Sequence, residues 1–153
     1  MKPITDLYSA ADREAFERAS YTIGGMLIFP SNRVDGKQTI NQLRGTNAQI
    51  KDRFDLTLES IRRYYCGEPS PLTDTVAAYP AFFALFEDFR GYVDYFLLQD
   101  LVNDDYTAIR FCLPFDGFKR SPLPAKMDEY AAYRSASLAF IDARNNRNAA
   151  SLS

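Results

Sequence analysis

Residues 32–45, NRVDGKQTINQLRG, hold more hydrogen-bond donors than a plain connection needs, and only Val34, Ile40 and Leu43 can serve a core. Extended to residue 53, the segment carries Arg33, Lys37, Arg44, Lys51 and Arg53 against Asp35 and Asp52, a local charge of +3 in a chain of net charge −2. Donors at this density suit a phosphate or carboxylate. Thr46 and Gln49 have the spacing of a capping box, which sets Arg44 and Gly45 immediately before a predicted helix. Unpaired backbone N–H groups and the positive end of the helix dipole favour an anion there, and an arginine can add a bidentate fork. The expected ligand set is therefore Arg44 with the backbone at Gly45 and Thr46. Arg33, Lys37 and Arg53 add charge, and Asn32 and Asn41 act as orienting amides.

A blander account uses the same residues. Asn and Gly serve turn geometry, and the arginines pair with Asp35, Asp52 or Asp55 on their own chain. A weaker candidate is QDLVNDD, residues 99–105, where Asp100, Asp104 and Asp105 oppose the dipole at a predicted helix end. They are candidates for a general base or a cation anchor, though without EF-hand spacing a solvated acidic turn is the simpler account. Residues 81–106 hold six acids against Arg90 alone, a face able to dock internally on the basic segment. Arg62, Arg63, Tyr64 and Tyr65 read as helix packing rather than a base-stacking site.

Histidine is absent. That excludes Ser-His-Asp and Cys-His nucleophile systems and histidine-ligated metals. Cys66 and Cys112 stand alone, which argues against a disulfide framework or a cysteine zinc site. No Walker or dinucleotide glycine spacing occurs. A pI of about 5.2 gives no global attraction to nucleic acid. No signal peptide and no run long enough to span a membrane is present, so the chain reads as cytoplasmic.

The elements that must position these groups follow from periodicity. A helix is expected over 10–19, and YTIGGMLIFP, with its β-branched and aromatic residues and Pro30 as a stop, reads as a strand over 21–29. Ile50, Phe54, Leu58, Ile61 and Tyr65 mark a helix over 47–66 that Gly67 ends. A short helix is expected over 71–79. A long, central Phe-rich helix bent near Gly91 follows. Alternation in YTAIRFCLP predicts a second strand over 106–113, and Met127, Tyr130, Tyr133, Ser137, Phe140 and Ile141 share a face of a helix over 126–145. The expectation is one helix-dominated α+β domain, residues 1–153, with about five helices, a small sheet and a frayed tail at 146–153.

The stretches YTIGGMLIFPSNRVDGKQTINQLRG, KDRFDLTLESIRRYY and FALFEDFRGYVDYFLLQDLVNDD resemble an uncharacterised bacterial domain-of-unknown-function family, over about Tyr21 to Asn145. The resemblance implies no established activity and no cofactor. It also implies further sequence before the TIGG segment, so a family site drawing on that portion would be incomplete here. The residues themselves point first to binding of an anionic, phosphate-bearing or nucleotide ligand at the basic loop. The alternatives are a protein-interaction or self-association domain, and a histidine-independent enzyme acting on a phosphorylated substrate.

Overall fold

The computed structural model describes residues 9–152, and its helices follow from local signals. Helix α1, Ala10–Ser20, starts at Ser9, whose hydroxyl accepts from the Asp12 amide. Helix α2, Ile40–Thr46, opens with a complete capping box between Thr39 and Gln42. Helix α3, Phe54–Cys66, ends at Gly67 in the left-handed conformation, φ 73°. The short helices α4, Thr73–Ala77, and α5, Pro80–Ala84, lead to α6, Phe89–Tyr95, whose N-cap is Asp88. Helix α7 runs Met127–Ser151, so the stretch from residue 146 continues as helix to Ser151.

The expected sheet is overturned: no strand occurs among the described residues, and the architecture is helical, not α+β. Between 21 and 29 the chain makes a 3-10 turn, Ile23–Gly25, then irregular backbone. Its polar backbone is satisfied by side chains from α7 instead of a neighbouring strand: the Gly24 amide donates to Asn145 Oδ1 at 2.7 Å, and Arg144 donates to the Gly24 and Met26 carbonyls. Between 106 and 113 there is only an isolated antiparallel bridge, Val102 to Ile109. The Cys112 amide, which a strand would need, donates to the Asp55 carboxylate at 2.9 Å.

Two compact units result. In the first, the described residues up to Leu27 join those from Pro124 onward. There α7 packs on the 3-10 turn and on α1, burying Ser137, Phe140, Ile141 and Arg144. The second unit is Ile28–Leu123, where α3 packs on α4 and α6, and α2 packs on α4. Its core includes Ile40, Ile50, Leu58, Ile61, Leu72, Val76, Phe83 and Val93.

The Phe-rich segment is not one bent helix. It breaks at Glu87 and Leu97, both in the left-handed region at φ 70° and 56°. Gly91 lets α6 pack back on the preceding turn, because a Cβ there would overlap the Phe86 carbonyl oxygen. Gly91→Ala is expected to destabilise by about 1–2 kcal/mol: overpacking costs more than the roughly 1 kcal/mol that alanine gains in helix propensity. Urea denaturation checks it.

Candidate functional site

The helix boundaries reassign the basic segment. Residues 40–46 are themselves α2, and Thr46 is its last residue, not the cap of α3. Arg44 therefore lies in the last turn of a helix, where the dipole favours a cation and disfavours an anion. Its side chain is buried and turned to its own chain. Nε donates to Thr57 Oγ1 at 3.0 Å, NH2 donates to the Asp52 carbonyl at 2.8 Å, and NH1 lies 3.4 Å from Asp52 Oδ1. Gly45 is half-buried, and the Asp52 carboxylate comes within 3.1 Å of where its Cβ would be.

Arg53 is likewise buried. It grips Asp55, itself fully buried, through Nε–Oδ1 at 3.0 Å and NH2–Oδ2 at 2.5 Å, while NH1 donates to the Pro122 carbonyl at 3.1 Å. Asp55 also accepts from the Leu56 and Cys112 amides, so the pair ties the start of α3 to two later segments of the same unit.

Asn32, Arg33, Lys37, Asn41 and Thr46 are exposed. Lys37 lines a shallow cleft of about 60 Å³ with Asp35, Gln38, Asp74 and Tyr79. Two carboxylates against one ammonium give that cleft a charge opposite to the one an anion needs. The Tyr79 hydroxyl donates to the Asn32 carbonyl at 2.8 Å, holding the segment down on α4's end of the unit.

The acidic turn also has local owners. Asp104 meets Arg110 at 3.2 Å, and Thr107 donates to Asp105 through both its hydroxyl and its amide. Those hydrogen bonds, the hydroxyl first, hold the Asp105 carboxyl below its ordinary range. Asp100 is half-buried in a 3-10 turn, Gln99–Leu101. Among the described residues, no group of three or more acidic or cysteine side chains gathers where it could hold a metal ion.

A further charge cluster lies on α3. Glu59 is buried and takes a fork from Arg62, at 2.8 and 2.9 Å, and a single hydrogen bond from Arg63 Nε at 2.8 Å. Arg63 also lies over the rings of Phe115 and Phe118. Burial alone would raise the Glu59 carboxyl, but the hydrogen bonds and charges of the two arginines outweigh it and hold it below its ordinary 4.5. A carboxylate with a depressed folded pKa stabilises above its unfolded value and loses that contribution as pH falls through the folded one. Wild-type stability is therefore expected to drop on acidification below about pH 4.5, with a shallower drop in Glu59→Gln, as followed by denaturation across pH.

The second unit also leaves large apolar side chains open to solvent. Phe83, Phe86, Tyr92 and Phe96 form a buried ring cluster. Phe82, half-buried, and Tyr95, 71% exposed, both rest on Phe86 and Phe96 at centroid distances of 5.0 to 6.4 Å. Leu85, one helical turn beyond Phe82, is 74% exposed. Helical periodicity assigns Leu85 to a widened buried stripe, but α5 ends at Ala84 and Leu85, its C-cap, is exposed.

These features define a helical architecture whose buried charges are spent on its own chain. No helix among the described residues is long and apolar enough to cross a membrane. The chain belongs to a family of unknown function, DUF6994, whose model matches residues 1–148. Neither the curated proteins nor the solved structures give a match.

Proposed function

We propose that this domain works by docking another polypeptide on the face formed by the end of α5 and one side of α6. The supporting observations are that Tyr95 is exposed while resting on the buried rings of Phe86 and Phe96, and that Leu85, next to Phe86 in the chain, is exposed as well. Contiguous large apolar side chains on a folded surface mark interaction sites more often than scattered ones do. Aromatic anchors such as Tyr95 carry binding energy out of proportion to their number. The test is a photoactivatable cross-linker placed at Leu85 in cells, with Lys51 as the exposed control site. A discrete adduct from position 85 that disappears in a Tyr95→Ser background supports docking; identical adduct patterns from the two positions refute it.

A second reading, an anion held by the basic loop, has one observation in its favour: Arg33 and Lys37 point their charges to solvent. Thermal shift with inorganic phosphate and nucleotides, repeated on an Arg33→Ala and Lys37→Ala double variant, tests it. A shift that survives both substitutions counts against this site.

A further inference from the structure

We infer that the cleft lined by residues 34–38 and 74–79 is a binding site for a small organic cation, a primary ammonium or guanidinium group on a short aliphatic stem. Asp35 and Asp74 line this cleft and supply its negative charge, while Val34, Ala78 and Tyr79 give it apolar surface. The apolar residues lie deeper. Tyr79 is buried and Val34 and Ala78 are half-buried, whereas Asp35, Lys37 and Asp74 are exposed. A cation that carries carbon meets both parts, since its stem covers the apolar surface while its charged head reaches the carboxylates. A hydrated inorganic ion would leave the apolar part unused.

The charge in this cleft is unspent. Among the described residues, the side chains of Asp35, Lys37 and Asp74 make no hydrogen bond or ion pair, whereas Asp52, Asp55, Glu59 and Asp104 of the same unit are each held by an arginine. The walls are nonetheless fixed. Asp35 and Gly36 both have positive φ, 53° and 70°, and the Lys37 amide donates to the Val34 carbonyl at 3.1 Å, the pattern of a type I′ turn. That turn runs into the Thr39 capping box of α2, and α2 packs on α4. The Tyr79 hydroxyl, bonded to the Asn32 carbonyl at 2.8 Å, ties the two lining segments together. A cleft already in place lowers the cost of binding. Its volume of about 60 Å³, at roughly 10–15 Å³ for each water-sized group, takes about four to six heavy atoms. That matches the end of a lysine-like chain or a small free amine, and it is far too small for a nucleotide. Lys37 gives the reading a signature: a bound cation feels its ammonium as repulsion and a bound anion feels it as attraction. Removing Lys37 therefore strengthens the first and weakens the second.

The experiment titrates the isotope-labelled full chain with n-butylammonium chloride at constant ionic strength and follows amide NMR shifts. Butanol and sodium butyrate are the neutral and anionic comparisons. Butylammonium is expected to give saturable shifts within residues 34–38 and 74–79, with a Kd on the order of 1–10 mM. Its affinity falls about threefold in Asp35→Asn and in Asp74→Asn, and rises about twofold in Lys37→Gln. Asn-Gly is itself favoured in a type I′ turn, so binding lost in Asp35→Asn is not folding lost; thermal unfolding checks Asp74→Asn. A capped lysine, N-acetyl-lysine amide, separates the sources of the cation. Tighter binding than butylammonium assigns the cleft to a lysine of another polypeptide, weaker binding assigns it to a free amine, and both support the inference. Absence of saturable shifts in these residues, an equal response to butyrate or butanol, or an affinity unchanged in both Asp variants overturns it. So does weaker butylammonium binding in Lys37→Gln.

Discussion

Asp55→Ala is expected to remove about 3–5 kcal/mol of stability, because it strands a buried charge instead of deleting one. Arg53 has no route to water: it is 5% exposed, and its fork fits the two Asp55 oxygens. Losing that carboxylate also leaves the Leu56 and Cys112 amides without an acceptor they now use. Each unsatisfied buried amide adds about 1–3 kcal/mol in principle, though local relaxation keeps the total from being additive. Replacing both partners, Arg53→Met with Asp55→Leu, should recover a large part of the loss, since two desolvated charges disappear together. Full recovery is not expected, as the Pro122 carbonyl and the two amides lose their partners in that variant too. Urea midpoints at unchanged m-value measure both. A loss under about 1 kcal/mol in Asp55→Ala would mean that the carboxylate does not hold the start of α3 in place.

Which parts of this arrangement are legible in the sequence depends on how far away the deciding atoms are. Helix α3 is legible because its signals are local: Leu58 and Ile61 sit on one stripe and are buried, and Gly67 ends the helix in the left-handed conformation. The two capping boxes, Thr39–Gln42 and Thr46–Gln49, have equal spacing, so spacing cannot rank them. Burial of Ile40 immediately after Thr39 decides for the first. That choice reverses the polarity of the helix end at Arg44 and with it the electrostatic case for an anion. The segment 21–29 is strand-like in composition, yet its carbonyls are claimed by Arg144, some 120 residues away in the chain. No local rule reports such a partner. The alternation in 106–113 does report that Ile109 is buried and Arg110 exposed, but that pattern needs only one bridge, not a sheet. Breaks at Glu87 and Leu97 are the hardest to foresee, because residues other than Gly in the left-handed region leave no compositional mark.

Arg44→Ala should cost about 2–4 kcal/mol with no ligand present, from the loss of hydrogen bonds made by a buried charged group. Three of its nitrogen atoms are directed at the Thr57 hydroxyl, the Asp52 carbonyl and the Asp52 carboxylate, and its guanidinium lies 5.6 Å from the Phe54 ring. The arginine therefore bridges the end of α2 to the start of α3 across the turn at 47–52. Arg44→Lys should recover little of this, because an ammonium cannot present donors in a planar fork to acceptors on two different residues. An anion-binding arginine behaves in the opposite way: its removal leaves the ligand-free fold nearly unchanged and abolishes the ligand's stabilising shift. Denaturation of wild type, Arg44→Ala and Arg44→Lys, each with and without phosphate, separates the two roles. Equal stability of the three proteins without phosphate would return Arg44 to the ligand site; a loss in both variants that phosphate does not modulate assigns it to the architecture.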